Sequence, residues 1–385
     1  MISGFLAPGF ELVRAEVESI LADLQPDNAP FSAQLAAFVD GQAVVDLVVG
    51  DGLRADAVTG VFSVSKGVAG IVIGTLVQSG QLDLDRPVAD YWPEFAEHGK
   101  GQILVRELLS HQAGLVGLQG GLSTADLVDS ASAASRLACA RPAWRPGAMF
   151  GYHGLTLGIL MEELVRRVSG VELQHLFEHE IRAPRGLDFY LGLPPEEEYR
   201  FQPMEPPLTG VTAVAGLEPP ADGLSELMFN ATRPSENIVH GPASPNIRAI
   251  RVAGPAAVGG VGTARGLAQT YAAAIGPVLG EGPVLDDGTI GAMSQEQVSG
   301  TDRLLGVDMR FGVVFMKSSP RISFGSYASF GHDGAGGALG FADPLHCLAF
   351  GYIPFPMQLP GGADRKGLRL ASVVRACAAR QQAAS

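Results

Sequence analysis

Residues 58–80, VTGVFSVSKGVAGIVIGTLVQSG, form an apolar run with two serines and a lysine, Ser63, Ser65 and Lys66, set into its first half. From Val64 onward the apolar residues recur at helical spacing, which predicts a helix over 64–79 starting near Ser63. On such a helix Ser63 and Lys66 are three apart and share one face, whereas Ser65 points elsewhere. A serine hydroxyl is a poor nucleophile until a neighbouring base takes its proton, and a lysine becomes such a base once burial disfavours its charged form. The helix amino terminus adds backbone N–H groups aimed where an oxyanion would form. Gly67, Ala69, Gly70 and Gly74 suit close packing of this turn. The plainer alternative has Ser63 capping the helix and Lys66 reaching solvent, since Ser-x-x-Lys alone recurs by chance in chains of this length. Lysine is scarce here, however: it stands only at 66, 100, 317 and 366, against 27 basic residues in all.

With 385 residues and 46% hydrophobic content, the chain can bury a full core as one large unit or two closely joined lobes. A formal charge of −13 argues against partners that need clustered cations, namely nucleic acid and anionic membrane surfaces. The opening MISGFLAPGFELVRAEVESILADLQ lacks a basic leader followed by a long apolar segment, and no apolar run is long enough to span a bilayer. A cytoplasmic protein is expected. Cys139, Cys347 and Cys377 are odd in number and widely spaced, so they suggest neither a disulfide framework nor a thiolate zinc site, and are expected to be buried packing residues.

Residues 33–39 and 43–49 are β-forming runs joined by Asp40-Gly41-Gln42, and Asp-Gly between apolar runs predicts a hairpin. Further strands are expected at 311–316, 327–331, 337–342 and 346–353, so the two chain ends are expected to share one sheet. Helix-periodic segments fill the middle, at 103–110, 124–138, 154–169, 171–180 and 263–275, and a surface helix is expected over 366–380. The expected division is an α/β lobe from 1–80 and 301–385, and a helical lobe from 81–300. Within the helical lobe, 193–260 is crowded with proline and glycine and reads as long loops walling a site.

Four further segments accompany Ser63-Val64-Ser65-Lys66. They are Leu108-Leu109-Ser110-His111-Gln112-Ala113-Gly114-Leu115; Arg145-Pro146-Gly147 with Gly151-Tyr152-His153-Gly154; Gly262-Thr263-Ala264-Arg265-Gly266-Leu267-Ala268; and Gly331-His332-Asp333-Gly334-Ala335-Gly336-Gly337 with Gly340-Phe341-Ala342-Asp343-Pro344. In this order, over roughly residues 10 to 375, the chain resembles the serine β-lactamase and penicillin-recognising superfamily, in the class C-like branch that includes family VIII carboxylesterases. The resemblance implies an α+β, β-lactamase/transpeptidase-like fold: an antiparallel sheet flanked by helices, plus an all-helical lobe, with the site at their junction. It implies Ser63 as acylated nucleophile, Lys66 as general base and Tyr152 as the group passing the proton to the leaving alcohol. The backbone amides of Ser63 and Ala335 would form the oxyanion hole, with His332, Gly334 and His153 on the substrate. No metal and no organic cofactor is implied.

The departures bear on substrate. Tyr152-His153-Gly154 lacks the asparagine amide that β-lactamases present, and His332 stands where they keep a lysine. Both point to a small-molecule carboxylic ester with apolar or bulky groups, with a β-lactam or D-alanyl peptide as the alternative. A competing signal is His175-Leu176-Phe177-Glu178-His179, which satisfies the His-x-x-Glu-His pattern of zinc proteases. Its flanks read as an ordinary helix with surface imidazoles, and no later carboxylate stands out as a third ligand. Gly-x-Ser-x-Gly is absent from the sequence, so the usual α/β-hydrolase elbow is disfavoured. His111, between a helix and a glycine turn, reads as a structural hydrogen-bonding residue. A catalytically silent binding protein is a third reading, disfavoured because Ser63, Lys66 and Tyr152 are all present.

Overall fold

The computed structural model describes residues 1–24, 30–207, 222–230, 241–358 and 362–384, so part of the 193–260 loop reading lies outside the described residues. The strands among them are β1 (Ile2–Leu6), β2 (Ser32–Val39), β3 (Gln42–Val49), β4 (Thr59–Gly60), β5 (Phe189–Tyr190), β6 (Val261–Gly262), β7 (Val298–Thr301), β8 (Asp308–Phe311), β9 (Phe330–Asp333), β10 (Leu339–Asp343) and β11 (Leu348–Phe355). Six of these build one antiparallel sheet in the order β1-β3-β2-β11-β10-β9, so both chain ends do share it. β4, β6 and β5 form a small second sheet, and β7 pairs with β8.

The β2–β3 hairpin turns on Asp40 and Gly41, both left-handed (φ 49° and 71°), the turn that Asp-Gly favours. Alternation along β2 divides the interior in two. Ala33, Leu35, Ala37 and Val39 join one core with Val13, Val17 and Ile20 of helix Glu11–Leu24 and with Leu370 and Val374 of helix Arg365–Ala384. Ala36 and Phe38 join the other, which contains the helix Val64–Gln78. Helix Ala264–Ile275 lies against β11 so closely that a Cβ at Gly351 would fall 2.2 Å from the Ala264 carbonyl. Thr263 caps that helix by accepting from the Gly266 amide at 2.9 Å.

Helix Val64–Gln78 is buried on nearly every side, as a helix apolar all round must be. Its small residues are where neighbours press: a Cβ at Gly67 would lie 2.0 Å from the Tyr271 hydroxyl, and one at Gly74 would lie 2.9 Å from Leu285.

Several expectations change. The 124–138 helix is two helices, Thr124–Val128 and Ala131–Ala138. Between them Asp129 is extended, and its carboxylate takes the Ala131 amide at 3.3 Å, the competition with helix that short polar side chains offer. The 171–180 helix begins at Leu173 and widens to a π-helix over Phe177–Arg182 before a left-handed Gly186 ends it. The strand expected at 311–316 stops at Phe311: Val314 has φ 69°, and the amides of Val313 and Val314 donate to Met293 and Leu109 rather than to a strand. β1 and the helices Glu11–Leu24 and Asp287–Ser294 are additional elements. Cys139 and Cys347 are exposed, and only Cys377 is buried. No helix among the described residues is long and apolar enough to cross a membrane.

Candidate active site

Ser63 stands at the amino end of helix Val64–Gln78 with helical dihedrals (φ −66°, ψ −10°) and makes no side-chain capping bond. Lys66, one turn on, has no solvent exposure. Its Nζ donates to Ser63 Oγ at 2.9 Å and to the Ala257 carbonyl at 3.0 Å. Burial pulls its pKa down to about 7, against an opposing pull from the Asp333 carboxylate. The capping-and-solvent alternative for this pair is therefore set aside: Lys66 points inward, and a large share of it is an amine at neutral pH.

The turn that presents Ser63 is strained. Phe62 is left-handed (φ 49°), which costs an aromatic residue on the order of 1–3 kcal/mol. Ser65 holds it there. The Ser65 amide and hydroxyl both donate to the Phe62 carbonyl (3.0 and 2.5 Å), and its Oγ accepts from the Gly260 amide at 2.8 Å. Ser65 thus does point away from Ser63.

Tyr152 is half-buried, and its ring centroid lies 5.1 Å from Lys66 Nζ. Backbone bonds on either side fix it: Gly151 N to the His111 carbonyl at 3.1 Å, and His153 N to His111 Nδ1 at 3.0 Å. Its ring stacks on Phe311 and tilts against His111, with centroids 6.2 and 5.0 Å apart. Burial raises its pKa, while the Ser63 hydroxyl draws it down. The phenol is therefore protonated at neutral pH and able to donate.

The three histidines around it are held in defined tautomers by backbone groups. His111 Nδ1 accepts, so its proton is on Nε2. His332 Nδ1 donates to the Asp333 carbonyl at 2.7 Å, leaving a lone pair on Nε2. His153 Nε2 accepts from the Leu115 amide at 3.0 Å, while its Nδ1 donates to the Gly151 carbonyl at 2.7 Å. His153, expected on the substrate, is therefore turned into the protein, fully buried with both ring nitrogens engaged, and braces the turn that carries Tyr152. His332 is brought beside Lys66 and Tyr152 (ring centroids 6.1 Å) but has no exposure of its own. Burial first, and Lys66 second, lower its pKa to about 3, so it is neutral across the physiological range. His111 does what its sequence context suggested.

Gly334 explains how the end of β9 reaches Ser63. A Cβ there would fall 2.2 Å from the Val61 carbonyl, so only glycine lets the two backbones approach this closely. The next residue, Ala335, is half-buried, and among the described residues neither its amide nor that of Ser63 donates to another group. Two free N–H groups thus stand at the tips of neighbouring elements. The residues that sequence reasoning missed here are Ala257, Ser65 and Phe311. A backbone carbonyl leaves no residue signature, and only the run of small residues at 254–260 hints at a close passage.

His175 and His179 are exposed with centroids 4.2 Å apart, but Arg182 engages both oxygens of the Glu178 carboxylate. Among the described residues no group of three His, Cys, Asp or Glu is placed to hold a metal ion.

Known proteins are similar to this chain over most of its length. The Beta-lactamase family profile matches residues 17–360. The structure of EstA from Arthrobacter nitroguajacolicus Rue61a is 46% identical over 99% of this chain and all of that one, with a TM-score of 0.89. A family VIII carboxylesterase structure is 32% identical, covering 98% of this chain and 100% of its own, with a TM-score of 0.86. Esterase/beta-lactamase LipL of Mycobacterium tuberculosis is 33% identical over 86% of this chain and 79% of its length. The chain belongs to the beta-lactamase family and is a serine hydrolase with the β-lactamase/transpeptidase-like α+β fold.

Proposed function

We propose that the protein is a carboxylesterase that hydrolyses small esters with apolar or bulky groups through an acyl-enzyme on Ser63. The observation that carries this reading is the 2.9 Å contact between Ser63 Oγ and the amine of a fully buried Lys66. Lys66 takes the Ser63 proton as Oγ attacks the ester carbonyl. The oxyanion that forms is received by the Ser63 and Ala335 amides. Tyr152, protonated and beside both groups, delivers the proton to the departing alcohol, and water attacking the acyl-enzyme then runs the same transfers in reverse. The names of the family VIII carboxylesterase and of Esterase/beta-lactamase LipL support ester chemistry, the second alongside lactam chemistry.

Preference for an ester over a lactam rests on what the site does not offer. His153 faces inward and presents no amide to substrate, and a neutral, buried His332 supplies no cation for a ligand carboxylate.

The test is hydrolysis of p-nitrophenyl esters from acetate to octanoate, with and without a metal chelator, beside a β-lactam. Chelator-insensitive ester turnover is expected. No turnover on any ester, or faster lactam cleavage, would overturn the reading. Because Lys66 acts as the amine, kcat/KM should rise about tenfold per pH unit on the acid side and level off above about 7. A profile that falls across this range would remove Lys66 as base. Gly334→Ala should lower kcat about a hundredfold, since the new methyl pushes the 334–335 backbone away from Val61 and moves an oxyanion donor; kinetics on p-nitrophenyl acetate would show it, and a wild-type kcat would take Ala335 out of the hole.

A further inference from the structure

Lys66 needs more than proximity to act as a base. A neutral amine has one lone pair and two N–H bonds, and the lone pair must face Ser63 Oγ when the proton moves. The Ala257 carbonyl, 3.0 Å from Nζ, engages an N–H and so sets the rotation of the amine. Correct placement of that carbonyl is thus a condition of the chemistry, and the segment that bears it, Gly254-Pro255-Ala256-Ala257-Val258-Gly259-Gly260, has no polar side chain of its own.

Other elements hold it. Glu162, on the helix Thr156–Ser169 and only 5% exposed, accepts the Ala256 amide on Oε1 at 2.7 Å. The same oxygen accepts from Gln174 Nε2 at 3.0 Å, and that Nε2 also donates to the Gly254 carbonyl at 3.1 Å. One helical turn before Glu162, Gly158 lets the helix touch the segment: a Cβ there would lie 2.5 Å from Ala257 N. At the far end Ser65 takes the Gly260 amide. The carbonyl that steers the lysine is therefore clamped between two polar anchors, one of them a buried carboxylate that touches no reacting atom.

We infer that Glu162, supported by Gln174, is a positioning residue for Lys66, acting through the backbone of Ala256 and Ala257. The inference rests on Lys66 being the base of the proposed esterase. An apolar residue at 162 would leave the buried Ala256 N–H without a partner and free the turn to shift. A shift of about an ångström at a catalytic group costs on the order of a hundredfold in rate.

The test is steady-state kinetics on p-nitrophenyl acetate for wild type, Glu162→Leu, Glu162→Gln and Gln174→Leu, with circular dichroism and thermal melts alongside. Glu162→Leu should lose about ten- to a hundredfold in kcat with KM nearly unchanged, since the substrate surface is untouched. Glu162→Gln should recover most of that loss, because its amide oxygen still accepts from Ala256. Wild-type kcat in Glu162→Leu, a loss carried by KM, or a glutamine variant no better than leucine would overturn the inference. If Glu162→Leu does not fold, Gln174→Leu decides: it keeps the Glu162 to Ala256 bond but frees Gly254, and is expected to lose kcat about threefold or more at constant KM, whereas an unchanged kcat would overturn the proposal. Wild type inactive on every ester is a different failure, that of the esterase reading itself, and takes this inference with it.

Discussion

Replacing Ser63 with alanine is expected to lower ester turnover at least about ten-thousand-fold while the fold persists. The side chain is half-buried, and its described hydrogen-bond partners are the Lys66 amine and the Tyr152 phenol. Its removal therefore costs little packing, and Lys66 keeps the Ala257 carbonyl as a partner. What disappears is the atom proposed to become acylated. Mass spectrometry of protein quenched during turnover of a slow ester should find the acyl group on the peptide containing Ser63 in wild type and on no peptide of Ser63→Ala. Turnover within tenfold of wild type, or a label on another residue, would sink the acyl-enzyme.

Lys66→Met should lower kcat by about a hundred- to ten-thousand-fold, the range for loss of a general base, and should also make the protein more stable at neutral pH. The second effect separates a lost base from a damaged fold. Below about pH 7 the lysine is protonated in the folded and the unfolded chain alike, and the fold bears the full cost of a buried ammonium. From about 7 up to the ordinary lysine value of 10.5, the unfolded chain binds a proton that the folded chain does not, so this group's contribution improves as pH rises. Methionine has similar reach and no charge. Urea unfolding should therefore show Lys66→Met more stable than wild type by on the order of 2–4 kcal/mol at pH 6, with the margin shrinking by pH 10. A margin independent of pH would mean that Lys66 is not charged at a cost.

Much of this was legible because the informative residues act locally. Asp40-Gly41 announces its own turn through left-handed dihedrals that few other pairs adopt so readily. The apolar run after Ser63 with three glycines on packed faces could only be a buried helix. β1 was not legible: as an edge strand with three of its five residues exposed, it has no buried face to impose alternation. Helix Glu11–Leu24 carried its signal in Val13, Val17 and Ile20, spaced as an amphipathic stripe, and could have been read. His153 shows a different limit. Its place in a motif said where its backbone lies, but the direction of its ring depends on the Leu115 and Gly151 backbone groups that take its nitrogens. The Ala257 carbonyl is the extreme case, since any residue supplies one.

The position of β11 in the sheet dictates an order of assembly. β11 lies between β2 and β10, so within the six-stranded sheet it joins the amino-terminal hairpin to the β9–β10 pair, whose connecting turn holds Gly334 and Ala335. While the chain is being made, β2 has to wait with one edge unpaired until residue 355 has emerged, more than three hundred residues later. Pairings this distant fold slowly, and an unpaired apolar edge invites association with other chains. A chain that ends before Leu348 would hold Ser63, Lys66, Tyr152 and the β9–β10 pair, but no β11 to join that pair to the amino-terminal hairpin. The proposed nucleophile is synthesised early, yet the sheet closes only with β11, the last strand among the described residues.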